Sequence, residues 1–373
     1  MLLVFYMYAI KSLEDTENLV LGATVLGTGG GGDPVEGLKL LEGILREGKE
    51  IRVIDLDELP EDSIIVTAYY IGSIAPTAKA KKPARIKEPV KVALRELEKL
   101  LGKTVSALVA CELGGGNTPV ALRIAAELGL PVVDGDLLGR AAPELHQCTV
   151  HIFDLHMYPS VIVSESGNVV IIKQYSDIDD YESIARYLSV LAGRFVAAVD
   201  TPLTKEGARK AVVKGTISLC IKVGKAIKEA RSKGEDPVQA VVQALNGWRI
   251  FEGVVDKYEW RDEGGFLRGE IYVKGMGKWS GKTLKSWIMN EHIMAWVDGE
   301  PVTMAPDLIM FLRDDGEPIT NTELKVGDKV NVVVAKAPDV WRLPKGLELF
   351  GPRRFGFNYD YVPVEELIKR IGA

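Results

Sequence analysis

The sequence predicts an α/β protein. An N-terminal α/β domain with a mostly parallel sheet (1–172) is followed by a C-terminal domain (173–373) of helices and an all-β module. Three observations lead there. Apolar, β-rich runs alternate with amphipathic helical segments as far as residue 135, which is the pattern of a largely parallel sheet. Two of those runs, Val105–Ala110 and Leu130–Val133, lead into Cys111-Glu-Leu-Gly-Gly-Gly-Asn-Thr-Pro119 and Asp134-Gly-Asp-Leu-Leu-Gly-Arg140. The carboxyl ends of parallel strands are where open α/β sheets bind ligands. From Trp248 onward, strands alternate with turns such as Asp298-Gly299, Asp314-Asp-Gly316 and Val326-Gly-Asp328, which predicts a sandwich or barrel.

Met1 to Ile10 reads as a strand or packed terminus. Asp15 or Thr16 caps a helix through Leu26, with Leu19, Val20, Ala23 and Leu26 at helical spacing. Asp33 as N-cap and Pro34 at the first helical position start a second helix, through Arg46. Glu50–Leu56 and Ser63–Tyr70 are strands, residues 72–87 a polar loop, and Glu88–Leu101 a helix. After the strand Val105–Ala110 come a helix from Pro119 to Leu128 and the strand Leu130–Val133. Thr149–Phe153, Ser160–Ser164 and Val169–Gln174 are short β-like runs, the last two joined by the turn Glu165-Ser-Gly-Asn168. Asp177–Val196, Thr204–Ser232 and Asp236–Leu245 are helical. The β module contains Gly253–Trp260, Gly269–Val273, His292–Val297, Leu308–Phe311 and Lys329–Ala335, and Pro363–Ile371 is a terminal helix.

The 373 residues are 47% hydrophobic and 26% charged, as in ordinary folded proteins, with a net charge of −6. No basic tail or arginine-rich helix is present, which argues against a nucleic-acid partner. The apolar Met1–Ile10 run is too short to span a bilayer and has no basic segment before it; a cytoplasmic location is expected, with no membrane partner. Cys111, Cys148 and Cys220 are odd in number and widely spaced, so they form no disulfide framework. Plentiful Lys, Arg and Glu with scarce Gln fit a thermophilic protein.

Four groups of residues carry chemistry. Gly27-Thr-Gly-Gly-Gly-Gly-Asp33 matches the dinucleotide fingerprint formally, with Asp55 at a strand end beyond it, but the segment before the glycines reads as a helix. Gly29, Gly30, Gly31 and Asp33 then form a loop whose backbone can approach a ligand closely, or else a plain turn between helices. In the second loop, Gly114 and Gly115 separate Glu112 from Asn117; Glu112 suits a general base and Asn117 the orientation of a carbonyl, unless Glu112 only caps loop amides. Asp134 and Asp136 point the same way from extended chain, which suits acid–base work or a divalent metal. Arg140 pairs with one of them or clamps a substrate carboxylate. His146, Cys148, His151, Asp154 and His156 are metal-capable residue types, but their spacing matches no metal motif. Cys111 faces away from Glu112 along the chain, into the core.

On Leu26-Gly-Thr-Gly-Gly-Gly-Gly-Asp-Pro34, Glu112-Leu-Gly-Gly-Gly-Asn117, Gly129-Leu-Pro-Val-Val-Asp-Gly-Asp136, Gly139-Arg-Ala-Ala-Pro-Glu144, Trp341-Arg342 and Gly351-Pro352, the chain resembles the S-methyl thiohydantoin desulfurase family. Members of that family are found beside or fused to hydantoinase/oxoprolinase proteins. The resemblance implies an α/β N-terminal domain, a C-terminal domain with β structure, and carbon–sulfur hydrolysis on a thiohydantoin-type ring. The sequence departs from the family at His146 and Cys148. A hydrolase acting on a small cyclic amide or thioamide is the leading expectation. Glu112 or Asp136 would be base and acid, loop amides and Asn117 the donors, and Arg140 an anchor. No cofactor is required outright, a divalent metal is one possible cofactor, and a homo-oligomer is expected. The rivals are a non-catalytic partner subunit of a hydantoinase-type enzyme and an NAD(P)-dependent oxidoreductase.

Overall fold

A computed structural model describes residues 8–72, 82–193, 195–263 and 265–371. Most of the 72–87 loop and of the Met1–Ile10 run lie outside them. In chain order the first elements are β1 (Tyr8–Ile10), α1 (Leu13–Leu26), α2 (Pro34–Arg46), β2 (Ile51–Ile54), β3 (Ile64–Gly72), α3 (Pro89–Leu101), β4 (Ala107–Ala110), α4 (Asn117–Leu128) and β5 (Val132–Asp136). Next come β6 (Ser160–Ser164), β7 (Val169–Ile172), α5 (Ile178–Ala192), β8 (Phe195–Thr204), α6 (Lys205–Ala211), β9 (Val213–Lys214), α7 (Thr216–Lys233) and α8 (Pro237–Leu245). The last group is β10 (Trp248–Glu263), β11 (Phe266–Gly275), β12 (Thr283–Met289), β13 (Glu291–Val297), β14 (Glu300–Met304), β15 (Leu308–Leu312), β16 (Lys329–Ala335), α9 (Pro344–Phe350) and α10 (Val364–Ile371).

The first sheet runs β1-β2-β5-β4-β3-β8-β6-β7, with β9 added beside β5. Its centre, β2-β5-β4-β3, is parallel, and antiparallel strands extend it on both sides. Successive residues face opposite layers. Val53, Leu108 and Val132 pack with α1, α4 and α7, whereas Ile54, Val109 and Val133 pack on the other face with Val150, Met157 and Tyr181. Helices α1 and α7 meet at backbone distance: a Cβ on Gly224 would stand 1.9 Å from the Asn18 carbonyl oxygen.

The second sheet is antiparallel and curled, in the order β14-β13-β12-β11-β10-β16-β15. Ile250, Ile271, Ile288 and Val332 fill its interior, while Ile293, Leu308, Met310 and Val333 join the core of the first unit. That shared packing brings the start of β13 to the ends of the parallel strands. Among the described residues, no helix is long and apolar enough to cross a membrane.

Several expectations are corrected. Helix α1 is capped by Ser12, with Asp15 reaching back to the Ser12 N–H, a reciprocal capping box that starts the helix a turn earlier. Strand β5 starts at Val132 and carries Asp134 and Asp136 within it. Thr149–Phe153 is a 3-10 turn, because the Thr149 hydroxyl bonds to the Leu137 and Ala211 carbonyls. The helix expected to reach Val196 stops at Gly193, which adopts φ 87, and β8 follows. The single helix expected from Thr204 is two, broken where Val213–Lys214 pairs with β5 and Gly215 turns at φ 79.

Candidate active site at the ends of the parallel strands

The two glycine loops meet backbone to backbone. Gly31, at φ 76, lies so close to Gly114 that a Cβ on it would stand 2.5 Å from the Gly114 Cα. The Gly31 carbonyl accepts the N–H groups of Gly116 and Asn117, both at 3.0 Å. The Gly116 and Asn117 amides at the start of α4 are therefore taken by the other loop. The 27–33, 112–117 and 134–140 segments come together in direct contact: Gly31 against Gly114, and the Leu113 N–H donating to the Arg140 carbonyl. Solvent reaches the assembly at the half-exposed Gly29, Gly30 and Glu112 and at the exposed Gly32 and Asn117. Strand β13 closes the other side: the His292 N–H donates to the Thr28 carbonyl at 2.9 Å, and the Asn321 N–H to the Gly29 carbonyl at 2.7 Å.

Arg140 sits at the centre and is fully buried. Its Nε donates to the Ala141 carbonyl, Nη1 to the Pro306 and Asp307 carbonyls, and Nη2 to the Thr28 hydroxyl and the His292 carbonyl, at 2.8–3.2 Å. All five guanidinium donors are thus engaged. The expected substrate clamp is corrected: no N–H remains for a ligand, and no ion pair to Asp134 or Asp136 forms among the described residues. Phe350 stacks beneath, 5.1 Å from the guanidinium carbon. Asp307 is buried as well and accepts from Ala337, Arg342, Tyr361 and Val364. Trp341 donates to the Leu138 carbonyl at 2.7 Å. The distal Trp341-Arg342 pair therefore holds the C-terminal segment against the site.

Three carboxyls lie at the site, of which Glu112 and Glu291 stand in the field of Arg140. Glu112 receives the Asn117 side-chain amide and the Ala142 N–H, the latter at 3.0 Å. Burial pushes it up to about 7, against the lowering effect of those hydrogen bonds and of Arg140. Asp136 accepts from Leu138 at 3.0 Å and Gly139 at 2.7 Å through one oxygen, with the Thr216 hydroxyl beside its carboxyl. Burial raises it to about 7, with the Glu112 charge adding to the shift. The third is Glu291, 3% exposed, whose carboxyl is raised well above the usual range by burial and then by Glu112. The same burial lowers Arg140 to about 10, so it remains a cation at neutral pH.

Other expected residues serve elsewhere. Asp134 accepts from the Ser218 N–H and hydroxyl, at 2.9 and 2.5 Å, and so caps α7. Asp33 caps α2 through Val35 and Glu36, as expected of an N-cap, which engages its carboxylate. A Cβ on Gly115 would meet the Thr24 hydroxyl and Pro34, so that glycine serves close packing. The metal-capable residues after Glu144 take separate partners: His146 pairs with Asp179 at 3.1 Å, Asp154 with Lys345, and His156 stacks on Tyr158. Among the described residues, no group of three or more His, Cys, Asp or Glu side chains is placed to hold a metal ion. Cys111 is half-buried and its thiol lies against Cys148. Asp55 caps a 3-10 turn at Asp57.

Sequence reasoning missed Glu291 and His292. Their signal was an acid and the fourth histidine adjoining the apolar run Ile293–Val297. His292 bonds through Nδ1 to the Ser286 hydroxyl at 2.9 Å and stacks on Phe311 at 4.2 Å; burial lowers it to about 3, so it stays neutral.

Fold and site define an α/β protein with a curled β module, joined through a buried arginine ringed by acids. The same fold occurs in the crystal structure of a protein from Chromobacterium violaceum, with a TM-score of 0.78 and 24% identity over 96% of this chain and 100% of that one. No curated protein matches the sequence. The S-Me-THD-like N-terminal domain matches residues 14–174, and the S-Me-THD-like C-terminal domain matches residues 176–364. The chain belongs to the S-methyl thiohydantoin desulfurase family.

Proposed function

We propose that this protein hydrolyses a thiohydantoin- or hydantoin-type ring, with water displacing a thiol or sulfide from the ring carbon. The observation that carries this reading is Glu112. Its carboxyl is half-buried, held by Asn117 and Ala142, and raised to about 7 where the two glycine loops meet. A carboxyl in that range takes a proton from water near neutral pH and returns it later in the cycle. Asn117, exposed at the rim, offers an amide to the charge that develops on the substrate. Asp136 lies in the field of Glu112, so ionisation of one opposes ionisation of the other. Family membership supports the substrate class.

The partner-subunit reading gives no role to the buried Asp136 and Glu291 beside Glu112, acids whose burial is costly unless they are paired. The NAD(P) reading lacks the strand that its fingerprint needs, because Gly27 follows α1, a helix.

Glu112→Gln tests the proposal with an S-methyl thiohydantoin as substrate. Turnover should fall by about a hundredfold or more while the melting temperature holds. Near-normal turnover with lowered stability would reduce Glu112 to a loop cap.

A further inference from the structure

We propose that Glu291 is the proton donor of the site, the acid that complements Glu112; this rests on the hydrolytic reading above. Glu291 opens β13 directly after Asn290, which turns the chain at φ 57. Its carboxyl lies against the first glycine loop. A Cβ on Gly30 would stand 1.9 Å from its Oε1, and the Gly31 N–H lies beside the carboxyl. Its Oε2 is buried with no partner among the described residues. A buried carboxyl with one oxygen unpaired is costly as an anion and far less so as an acid. Gly30 is half-exposed, so a ring resting on Gly29 and Gly30 lies over this acid.

The groups that face Glu291 are few. Glu112, from the β4–α4 loop, acts on it as a like charge, and Arg140, from the segment after β5, as an opposite one. Neutral His292 follows it in β13 and bonds away, to Ser286. Gly30, Gly31 and the Asn321 amide bring no charge. Burial and Glu112 together outweigh Arg140 and keep the proton on Glu291.

The step balances as follows. Glu112 takes a proton from water as the water oxygen bonds to the ring carbon, and the C=N pair moves onto the ring nitrogen. Glu112 then passes that proton to the nitrogen. When the carbon–sulfur bond breaks, the departing sulfur keeps the bonding pair and takes the Glu291 proton. The hydroxyl proton of the intermediate moves to Glu291 as the C=O bond forms. Both acids are restored, and the products are the ring carbonyl and a thiol.

Glu291→Gln removes the proton and keeps the shape of the neutral acid. For an S-methyl ring its kcat should fall by about a hundredfold, and the alkaline limb of the kcat–pH profile should vanish. With an S-aryl ring, whose thiolate leaves without protonation, the deficit should shrink, whereas Glu112→Gln should stay impaired on both substrates. A Glu291→Gln enzyme with normal kcat and pH profile, beside an inactive Glu112→Gln, would overturn this inference alone. Full activity in both variants would overturn the hydrolytic reading itself. If Glu291→Gln does not fold, Glu291→Asp should show lowered kcat with its alkaline limb displaced, and a profile superimposable on the parent's would overturn the inference.

Discussion

Replacing Arg140 by lysine tests whether the guanidinium joins the two halves of the molecule or awaits a ligand. Lysine keeps the positive charge, so Glu112 and Glu291 retain a cation beside them. It offers three donors from one nitrogen, whereas arginine offers five in a planar fork. Five acceptors depend on that fork: the Thr28 hydroxyl and the carbonyls of Ala141, His292, Pro306 and Asp307. At least two must lose their donor. A buried acceptor left unpaired costs about 1–3 kcal/mol, so the two together cost about 2–6 kcal/mol. Urea unfolding at neutral pH, followed by tryptophan fluorescence, measures the loss directly, since Trp341 bonds to Leu138 in the same region. A substrate clamp would behave oppositely, with stability intact and KM raised. A loss below about 1 kcal/mol, small beside what two unpaired acceptors cost, would refute the five-donor account.

Gly31→Ala meets both a left-handed φ of 76 and the Gly114 Cα at 2.5 Å; it should cost about 1–3 kcal/mol from crowding, with strain added, and thermal unfolding checks it. Ser12→Ala removes the hydroxyl that accepts the Asp15 N–H in the α1 capping box, leaving the Ser12 N–H bond to the Asp15 carboxylate, and should cost about 1 kcal/mol in urea unfolding. Asp136 has a folded pKa near 7, above the usual carboxylate range. Between about 4 and 7 the unfolded chain has lost this proton while the folded one keeps it, so its contribution to stability falls as pH rises through that window. Asp136→Asn removes that dependence, so unfolding curves at about pH 4.5 and about pH 7.5, ~0.6 and ~3.6 above the ordinary aspartate pKa, should show the variant gaining on its parent at the higher pH. An unchanged gap between the two proteins would refute the raised pKa.

Much of the local structure was legible because its causes are local. Asp33-Pro34 announced α2 through a cap and a fixed φ, and Ser160–Ser164 announced a strand through its β-branched run. Strand β8 was not legible, since its apolar residues continue the helical run of α5 and only Gly193 marks the change. The same-side placement of Asp134 and Asp136 follows from strand periodicity, and both lie near α7. That Asp134 caps α7 does not follow, because Ser218 is 84 residues away. Arg140 was recognisable as part of the site but not in its role, for its acceptors beyond Ala141 lie 112 to 167 residues along the chain. Glu291 had no glycine run to announce it and reaches the loops only because β13 packs into the first unit's core.

The manner in which Arg140 is held also explains the acids around it. A guanidinium bonded directly to Glu112 would hold that carboxyl well below neutrality and leave it a poor base. One bonded to Glu291 would satisfy the free Oε2 and keep the acid ionised. Neither contact forms among the described residues; the donors go to carbonyls and to Thr28. Arg140 therefore acts on the acids through space, strongly enough to moderate the cost of burying them but too weakly to fix their protons. Glu112 is left near 7 and Glu291 protonated. Those are the two protonation states that water attack and sulfur departure require of a neighbouring pair.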